Sequence, residues 1–203
     1  WKVWYSGPNF RYERAQHGRY RQFDQVGVEA LGSDDPLLDV EVIALAVDFF
    51  RNLGLRNVVL NINSLGDSGD RARYVEALSQ YFQGRISELS PESVATLERN
   101  PLRVLDSKRE SEQAVVAQAP SISGFLSDEA ASHFTQVKQG LDALGIAYVV
   151  NERLVRGLDY YCRTTFEFQS TALESAQTAV GGGGRYDGLV EDLGGPATPG
   201  IGF

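Results

Sequence analysis

The chain has 203 residues, of which 42% are hydrophobic and 10% aromatic, and this predicts a globular protein with a substantial core. We expect a soluble protein, because the sequence has no recognisable signal peptide and no apolar run near the roughly 20 residues that cross a bilayer. With one cysteine and two histidines, we expect no internal disulfide, no cysteine-based metal site and no histidine-rich metal site. The net charge is −8, but residues 1–23 carry five basic residues against one acidic residue, so we expect an anionic ligand near this segment and no broad nucleic-acid binding.

The chain begins with two predicted strands joined by a polar hairpin. Lys2–Ser6 is rich in Val, Trp and Tyr and predicts a strand that Gly7-Pro8 interrupts. The polar segment 10–23 predicts a long hairpin connection, after which Phe23–Ala30 returns as the second strand.

The second strand carries the first candidate site. Its residues Gln25, Gly27 and Glu29 share one face, opposite the apolar residues at positions 26, 28 and 30. Because Gly27 has no side chain, a small ligand could lie flat on the sheet between the amide and the carboxylate. A merely solvated sheet face is the alternative, but the arginines of the adjacent hairpin favour a binding site.

A helix is predicted next, with Asp35 as its N-cap and Pro36 at its first position. It is expected to run through residues 37–53 with most of its circumference buried, and Val58–Ile62 is expected to follow as a buried strand.

The span from about 69 to 145 is predicted to be mainly helical and inserted between two strand-rich parts. Apolar residues recur at helical spacing in 69–83 and after Ser127, and Ser90-Pro91 begins a shorter helix. The charges of 106–110 favour a solvated helix face over a nucleic-acid site. His133 lies beside the apolar stripe of the last helix and is expected at the surface or at its boundary.

The most informative stretch is Leu154–Phe168, which follows a predicted strand at Ile146–Val150. Residues 161, 163, 165 and 167 form a polar and aromatic strand face, and the alternate residues form a face that is mostly core. Upstream, Arg156-Gly157 puts a guanidinium beside a residue that allows close backbone approach. We interpret the stretch as a binding surface on a sheet; an edge strand with merely solvated charges is the alternative.

Four consecutive glycines at positions 181–184 lead into Arg185-Tyr186-Asp187. A flexible linker is one interpretation. The flanking strand and helix patterns favour the other, a close approach of the backbone to a ligand. The pattern matches neither the phosphate-loop motif nor the dinucleotide-binding motif.

These motifs resemble those of one family. The first hairpin resembles motif 2 of class II aminoacyl-tRNA synthetases in the form used by histidyl-tRNA synthetases, with Phe10-Arg-Tyr-Glu-Arg14 and Gly18-Arg-Tyr-Arg-Gln-Phe-Asp-Gln-Val-Gly-Val-Glu29. The two histidine-specific motifs of that family resemble Leu154-Val-Arg-Gly-Leu-Asp-Tyr-Tyr161 and Gly182-Gly-Gly-Arg-Tyr-Asp187. Two further stretches are typical of its bacterial members, Gly32-Ser-Asp-Asp-Pro36 and Val104-Leu-Asp-Ser-Lys108. The match is collinear over essentially the whole chain.

The resemblance implies an α+β fold, in which a class II catalytic core of antiparallel sheet flanked by helices carries a mainly helical insertion domain that approaches the tRNA acceptor stem. The core would comprise 1–68 and 146–203, and the insertion domain 69–145. It further implies a cytoplasmic histidine–tRNA ligase that uses L-histidine, tRNA(His) and ATP with Mg²⁺, forms a homodimer when intact and has no membrane partner.

For ATP, the resemblance implies that Arg11 contacts the α-phosphate and that Arg19 reaches the distal phosphates. Arg156 is similar to the catalytic arginine of the family, which lies near the substrate carboxylate and the α-phosphate. Attack of a carboxylate on a phosphate brings two anions together, so guanidinium groups fixed on two sides suit the reaction. Arg11 and Arg156 are therefore the catalytic candidates.

For histidine, the resemblance implies that Gln25 binds the polar backbone groups of the amino acid, with Arg156 near its carboxylate. Glu29 and Tyr161 would read the imidazole, because a carboxylate and a phenol can accept from and donate to the two ring nitrogens. Tyr186 would help to close the pocket, and Gly183 would allow the backbone to approach.

The chain departs from the family pattern at Ala15, Asp24 and Cys162, where proline, histidine and a small polar residue are common. It has no methionine, and it ends at Phe203, where motif 3 would begin. We therefore expect a fragment without motifs 1 and 3 and without the anticodon-binding domain, which need not catalyse the reaction alone.

The alternative is a non-catalytic relative, either a regulatory subunit of histidine synthesis or a synthetase-like tRNA sensor. Such relatives tend to lose the arginines and the histidine-specific motifs, whereas this chain retains Arg11, Gln25, Glu29, Arg156 and Tyr161. A plain α+β binding module would leave the collinear motifs unexplained.

Overall fold

The computed structural model describes residues 1–12, 14–15, 19–154, 160–172 and 178–203. The strands of these residues are β1 (Lys2–Phe10), β2 (Gln22–Leu31), β3 (Val58–Ser64), β4 (Val149–Val150), β5 (Cys162–Ser170), β6 (Ala179–Arg185) and β7 (Gly200–Gly202). They form a seven-stranded sheet in the order β1-β2-β7-β6-β5-β3-β4. Neighbouring strands run antiparallel except for β3 and β4, which pair in parallel.

The α-helices in the described ranges are α1 (Pro36–Asn52), α2 (Ser68–Gln83), α3 (Pro91–Arg99), α4 (Gln113–Ala117), α5 (Asp128–Ala143) and α6 (Leu189–Asp192). Short 3₁₀-helices lie between α2 and α5, at Ile86–Glu88, Pro101–Asp106, Glu110–Glu112 and Ile122–Phe125. Among the residues described, no helix is both long and apolar enough to cross a membrane.

The predicted start of the first helix is confirmed. The Asp35 side chain accepts the backbone N–H of Leu37 at 2.8 Å, and Pro36 occupies the first turn, where a backbone N–H would have no intrahelical partner. The predicted strand at Ile146–Val150 is reduced to the two residues of β4, which pair with β3 at the edge of the sheet.

On one face, the sheet packs against α1 and α5 in a single hydrophobic cluster. Its buried members are Ala30, Val40, Val42, Ile43, Ala46, Phe50, Leu60, Ile62, Phe134, Val137, Leu141, Phe166, Phe168 and Ile201. The predicted α+β arrangement, an antiparallel sheet flanked by helices, is confirmed for the described residues apart from the parallel pair at the edge.

A second hydrophobic cluster lies apart from the sheet. Its buried members are Tyr74, Leu78, Phe82, Leu97, Val104, Leu105, Val115, Val116, Ala119 and Ile122. The predicted division of the chain at 68 and 145 stays a prediction. Because α5 belongs to the cluster of the sheet, we propose that the helical unit comprises residues 68–127, and we use this name for it below.

The first strand does not stop at Gly7-Pro8 as predicted, because β1 continues to Phe10. Pro8 lies opposite Asp24. Val28, four residues further along β2, exchanges two backbone hydrogen bonds with Phe203, the residue after β7, both at 2.9 Å, and so bonds away from β1. Since the alternation continues along the strand, a proline at this edge position interrupts no bond between β1 and β2.

The prediction for His133 is wrong, because its side chain is buried in the helix-covered side of the sheet. Its Nε2 lies 3.6 Å from Oδ2 of Asp39, which is itself fully buried on α1. Burial lowers the pKa of His133, although the nearby carboxylate opposes this shift. The spacing of apolar residues could not reveal a polar partner supplied by another helix.

Within the helical unit, the buried Glu112 side chain connects three segments. It accepts the backbone N–H of Ser90 at 2.7 Å and the Ser93 hydroxyl at 2.8 Å, and it also accepts the Ser107 hydroxyl. Burial alone would raise the pKa of this carboxyl, but the hydrogen bonds lower the pKa from 4.5 to about 2.

Glu112→Gln is expected to destabilise the protein in a pH-dependent way. A carboxyl with a depressed folded pKa stabilises the fold above about pH 4.5 and loses that contribution as the pH falls towards 2. At pH 7 the variant should lose about 1–3 kcal/mol of unfolding free energy in urea denaturation. The difference from wild type should shrink below pH 4, and an equal difference at pH 7 and pH 3 would contradict this account.

Candidate functional site

On the face opposite α1 and α5, glycines at the centre of the sheet leave room for larger side chains. A Cβ on Gly202 would lie 1.8 Å from Oε2 of Glu29, and a Cβ on Gly184 would lie 2.9 Å from Cδ1 of Tyr161. A Cβ on Gly200 would lie 2.5 Å from Cε2 of Tyr186. We call this surface the glycine floor; it consists of Gly27, Gly184, Gly200 and Gly202.

Glu29 is the centre of the polar contacts on the glycine floor. Its carboxylate accepts hydrogen bonds from the phenol of Tyr5 at 3.1 Å and from the phenol of Tyr186. Burial, reinforced by the charge of Glu29, raises the pKa of both tyrosines, so both phenols remain protonated donors at neutral pH. A further ring pair flanks them, since the Tyr160 ring lies 4.7 Å from that of Tyr161.

The gap predicted over Gly27 is filled by a side chain of the neighbouring strand. Tyr5 is the direct cross-strand partner of Gly27, and a Cβ on Gly27 would lie 2.2 Å from Cζ of Tyr5. A ligand therefore cannot lie flat on Gly27 in this structure, because the Tyr5 ring does so. The sequence missed Tyr5 because its role depends on the register between β1 and β2.

The predicted ATP residues lie towards the hairpin end of the same two strands. The guanidinium of Arg11 stacks on the Phe23 ring, 4.0 Å from its centroid, and its Nε donates to the carbonyl of Tyr20 at 2.8 Å. Phe23 is two residues from Gln25, so Arg11 shares the face of the glycine floor. Arg19 is half-buried at the turn side of Arg11, and Gln25 is exposed.

The glycine run at 181–184 is not a flexible linker, because it forms most of β6. Gly183 pairs with Phe166 of the hydrophobic cluster, and a Cβ on Gly183 would lie 1.9 Å from the carbonyl oxygen of Gly202. What Gly183 approaches in this structure is therefore the backbone of β7. Its predicted contact with histidine stays a prediction.

A buried ion pair that the sequence did not predict holds the end of β6. Arg185 is fully buried and donates to the carboxylate of Asp39, to Oδ1 of Asp187 at 3.0 Å and to the carbonyl of Ser33 at 3.0 Å. Asp187 also accepts the backbone N–H of Gly200 at 3.1 Å. These bonds fix the backbone on both sides of Tyr186. A charged Asp39 on a mostly buried helix was the signal for such a partner.

One residue of the second predicted site differs from the expectation, and another is not described. Arg163 does not share the polar face of Tyr161, because the register shifts between Cys162 and Thr165 and Arg163 has a φ of +44°. Arg156, the predicted catalytic arginine, lies outside the described residues. The described site therefore brings together Glu29, Tyr161 and Tyr186, with Gln25 and Arg11 further along the same face.

Gly202→Ala is expected to weaken binding of histidine, the ligand implied by the resemblance, because the new methyl group displaces the Glu29 carboxylate. We expect the Kd from calorimetric titration to rise about tenfold or more, which corresponds to about 1.4 kcal/mol. Gly188→Ala is the control, since a Cβ there meets no atom within 4 Å. Unchanged affinity in a folded Gly202→Ala protein would contradict the role of the glycine floor.

Comparisons with known proteins agree with the motifs and the fold. A family model described as histidyl-tRNA synthetase matches residues 1–203. Histidine–tRNA ligases of Picosynechococcus sp. and Geobacillus kaustophilus are 56% and 54% identical to the whole chain, which spans 47% and 48% of their lengths. The apo histidyl-tRNA synthetase of S. aureus matches 99% of the chain with a TM-score of 0.76 and 41% identity, over 47% of its own length.

A more distant structure shows likeness of fold alone. It is described as an ATP phosphoribosyltransferase regulatory subunit/histidyl-tRNA synthetase from Bacillus halodurans, and it matches at 23% identity with a TM-score of 0.61. The family model and the identities above decide membership. The chain belongs to the histidyl-tRNA synthetase family, and its sheet is the class II aminoacyl-tRNA synthetase core.

Proposed function

We propose that the full-length protein containing this chain is a histidine–tRNA ligase, which activates L-histidine with ATP and transfers it to tRNA(His). The proposal rests on the position of Glu29. Its carboxylate accepts hydrogen bonds from the phenols of Tyr5 and Tyr186 on the glycine floor, and it lies on the same face of the sheet as Arg11. The curated relatives that share more than half of its residues bear this name.

Recognition of the imidazole falls to Glu29 and Tyr161. A carboxylate offers about four lone-pair sites, so Glu29 can accept an imidazole N–H while it still holds the phenols of Tyr5 and Tyr186. Tyr161 supplies a phenol for the other ring nitrogen. An amino acid that lacks these two nitrogens would leave buried polar groups unpaired, which gives strong discrimination. Tyr186 helps to close the pocket, and Gly183 allows the backbone to approach the ligand.

Activation of the amino acid needs a carboxylate oxygen of histidine to attack the α-phosphorus of ATP, with departure of pyrophosphate. Arg11 neutralises the α-phosphate, Arg156 the approaching carboxylate, and Arg19 the distal phosphates. Gln25 orients the amino acid. Fixed guanidinium groups lower the repulsion between the two anions, and the step requires no protein nucleophile.

Mg²⁺ enters this proposal together with the nucleotide phosphates. In the part of the chain that the structure describes, no three His, Cys, Asp or Glu side chains form a metal-binding group. Homodimer formation, a cytoplasmic location and contact of the helical unit with the tRNA acceptor stem belong to the same proposal, on the strength of family membership.

The regulatory alternative is not favoured. The chain shares 56% of its residues with a histidine–tRNA ligase, and the histidyl-tRNA synthetase family model matches residues 1–203. Retention of Arg11, Gln25, Glu29 and Tyr161 also supports an enzyme, because a regulator needs no guanidinium for an α-phosphate.

The proposal predicts that two substitutions fail in different ways in histidine-dependent exchange of pyrophosphate into ATP. Arg156→Ala should abolish exchange and leave histidine binding measurable, because Arg156 acts mainly on the reacting anions. Glu29→Gln should raise the histidine Kd about tenfold or more, since the amide cannot pair with the imidazole as the carboxylate does.

Glu41→Gln is the matched control, because Glu41 is an exposed residue whose carboxylate pairs with Lys2. Each of the other amino acids serves as a control for specificity. Exchange that proceeds equally well with another amino acid, or equal loss of binding and exchange in Arg156→Ala, would contradict the assigned roles.

A further inference from the structure

Two arginines, Arg153 and Arg163, tie the histidine pocket to the helical unit. They lie on either side of Tyr160 and Tyr161 in the chain, and neither points into the pocket. Both side chains instead reach residues in or next to the helical unit.

Arg153 binds the end of α4 and the segment after it. Its guanidinium donates to the carbonyl oxygens of Ala117 at 3.2 Å, Ala119 at 2.7 Å and Pro120 at 3.3 Å. Ala117 is the last residue of α4 and the other two residues follow it, so these backbone acceptors have no helical partner. The adjacent Glu152 accepts the hydroxyl of Ser123 at 2.9 Å. Glu152 and Arg153 are therefore bonded to residues 117–123 of the helical unit.

Arg163 binds the residues that flank the helical unit on both sides. Its Nε donates to Asp67, the N-cap of α2, at 2.8 Å, and its Nη2 donates to Glu129, in the first turn of α5, at 2.8 Å. The backbone N–H of Arg163 also donates to the carbonyl of Gly66 at 2.8 Å. One side chain on β5 thus holds the points where the chain enters and leaves the unit.

The backbone of Arg163 gives independent support. Its φ of +44° lies in the left-handed region. Among the described residues, Arg163 is the one non-glycine residue with a positive φ. Such a conformation persists where surrounding bonds determine it, and it is frequent where a structure positions functional groups. Here it interrupts the pairing of β5 two residues after Tyr161, at the register shift between Cys162 and Thr165.

We propose that Arg153 and Arg163 are positioning residues that bind the chain on either side of Tyr160 and Tyr161 to the helical unit and to the residues that flank it, so that the orientation of the unit sets the imidazole pocket. The inference rests on the proposed function, since Tyr161 is taken to read the imidazole. A displacement of the helical unit would therefore displace the residues of the imidazole pocket, because these two guanidinium groups connect them.

The test compares Arg153→Lys and Arg163→Lys in the full-length protein. Lysine keeps the positive charge, but its ammonium is a point donor that cannot span several carbonyls or hold two carboxylates in a fixed geometry. Arg85→Lys is the matched control. The Arg85 guanidinium stacks on the Tyr81 ring, 4.0 Å from its centroid, and donates to the Tyr81 carbonyl, so both of these contacts lie within the helical unit.

The first readout is hydrogen–deuterium exchange, which does not depend on activity. Both lysine variants should speed amide exchange in a peptide covering residues 160–165 about tenfold, while peptides of β1 and β2 remain unchanged. The second readout is steady-state pyrophosphate exchange, in which the KM for histidine should rise about tenfold and the KM for ATP should stay within about twofold.

Unchanged amide exchange at 160–165 in both variants, the same effect in Arg85→Lys, or an equal rise of both KM values would overturn the positioning role. A wild-type protein without histidine-dependent exchange would refute the proposed function instead. In that case faster amide exchange at 160–165 in the lysine variants still supports the positioning role, and unchanged exchange overturns it.

Discussion

The missing Cβ atoms of the central strands are the constraint on which the candidate pocket depends. A methyl group on Gly202 would collide with the Glu29 carboxylate, and one on Gly200 would collide with the Tyr186 ring. The space that these glycines leave lets a carboxylate and several phenols lie directly on the sheet, where they can bond to each other and to a ligand. On the reverse face, the same strands carry the large apolar side chains that pack against α1 and α5, so one sheet supplies both the core and the site.

The sequence predicted the fold well where local signals decide it. The cap at Asp35 with its following proline gave the start of α1, and the strand pattern identified β2 and β5. Predictions failed where the deciding partner lies far away in the chain. His133 is buried 3.6 Å from the carboxylate of Asp39 on α1, which Arg185 of β6 also contacts, and the spacing of residues along α5 does not reveal either neighbour.

The site shows the same division between local and distant information. The family resemblance drew attention to Glu29, Tyr161 and Tyr186, which the structure brings to one face of the sheet. Tyr5 went unnoticed because only the pairing of β1 with β2 places its ring on Gly27. Strand alternation assigned Arg163 to the ligand face, whereas a local break in the pairing turns it towards the helical unit. Positions set by register or by a bulge require the structure, since no short stretch of sequence encodes them.

A crystal structure of the full-length protein with bound L-histidine would decide the proposed role of Glu29, which is that its carboxylate on the glycine floor reads the imidazole of histidine. The account predicts an imidazole nitrogen within hydrogen-bond distance of the Glu29 carboxylate, the other nitrogen bonded to Tyr161, and the ring in contact with Tyr5 and not with Gly27. Histidine bound at another face, or an imidazole without contact to Glu29, would contradict the account.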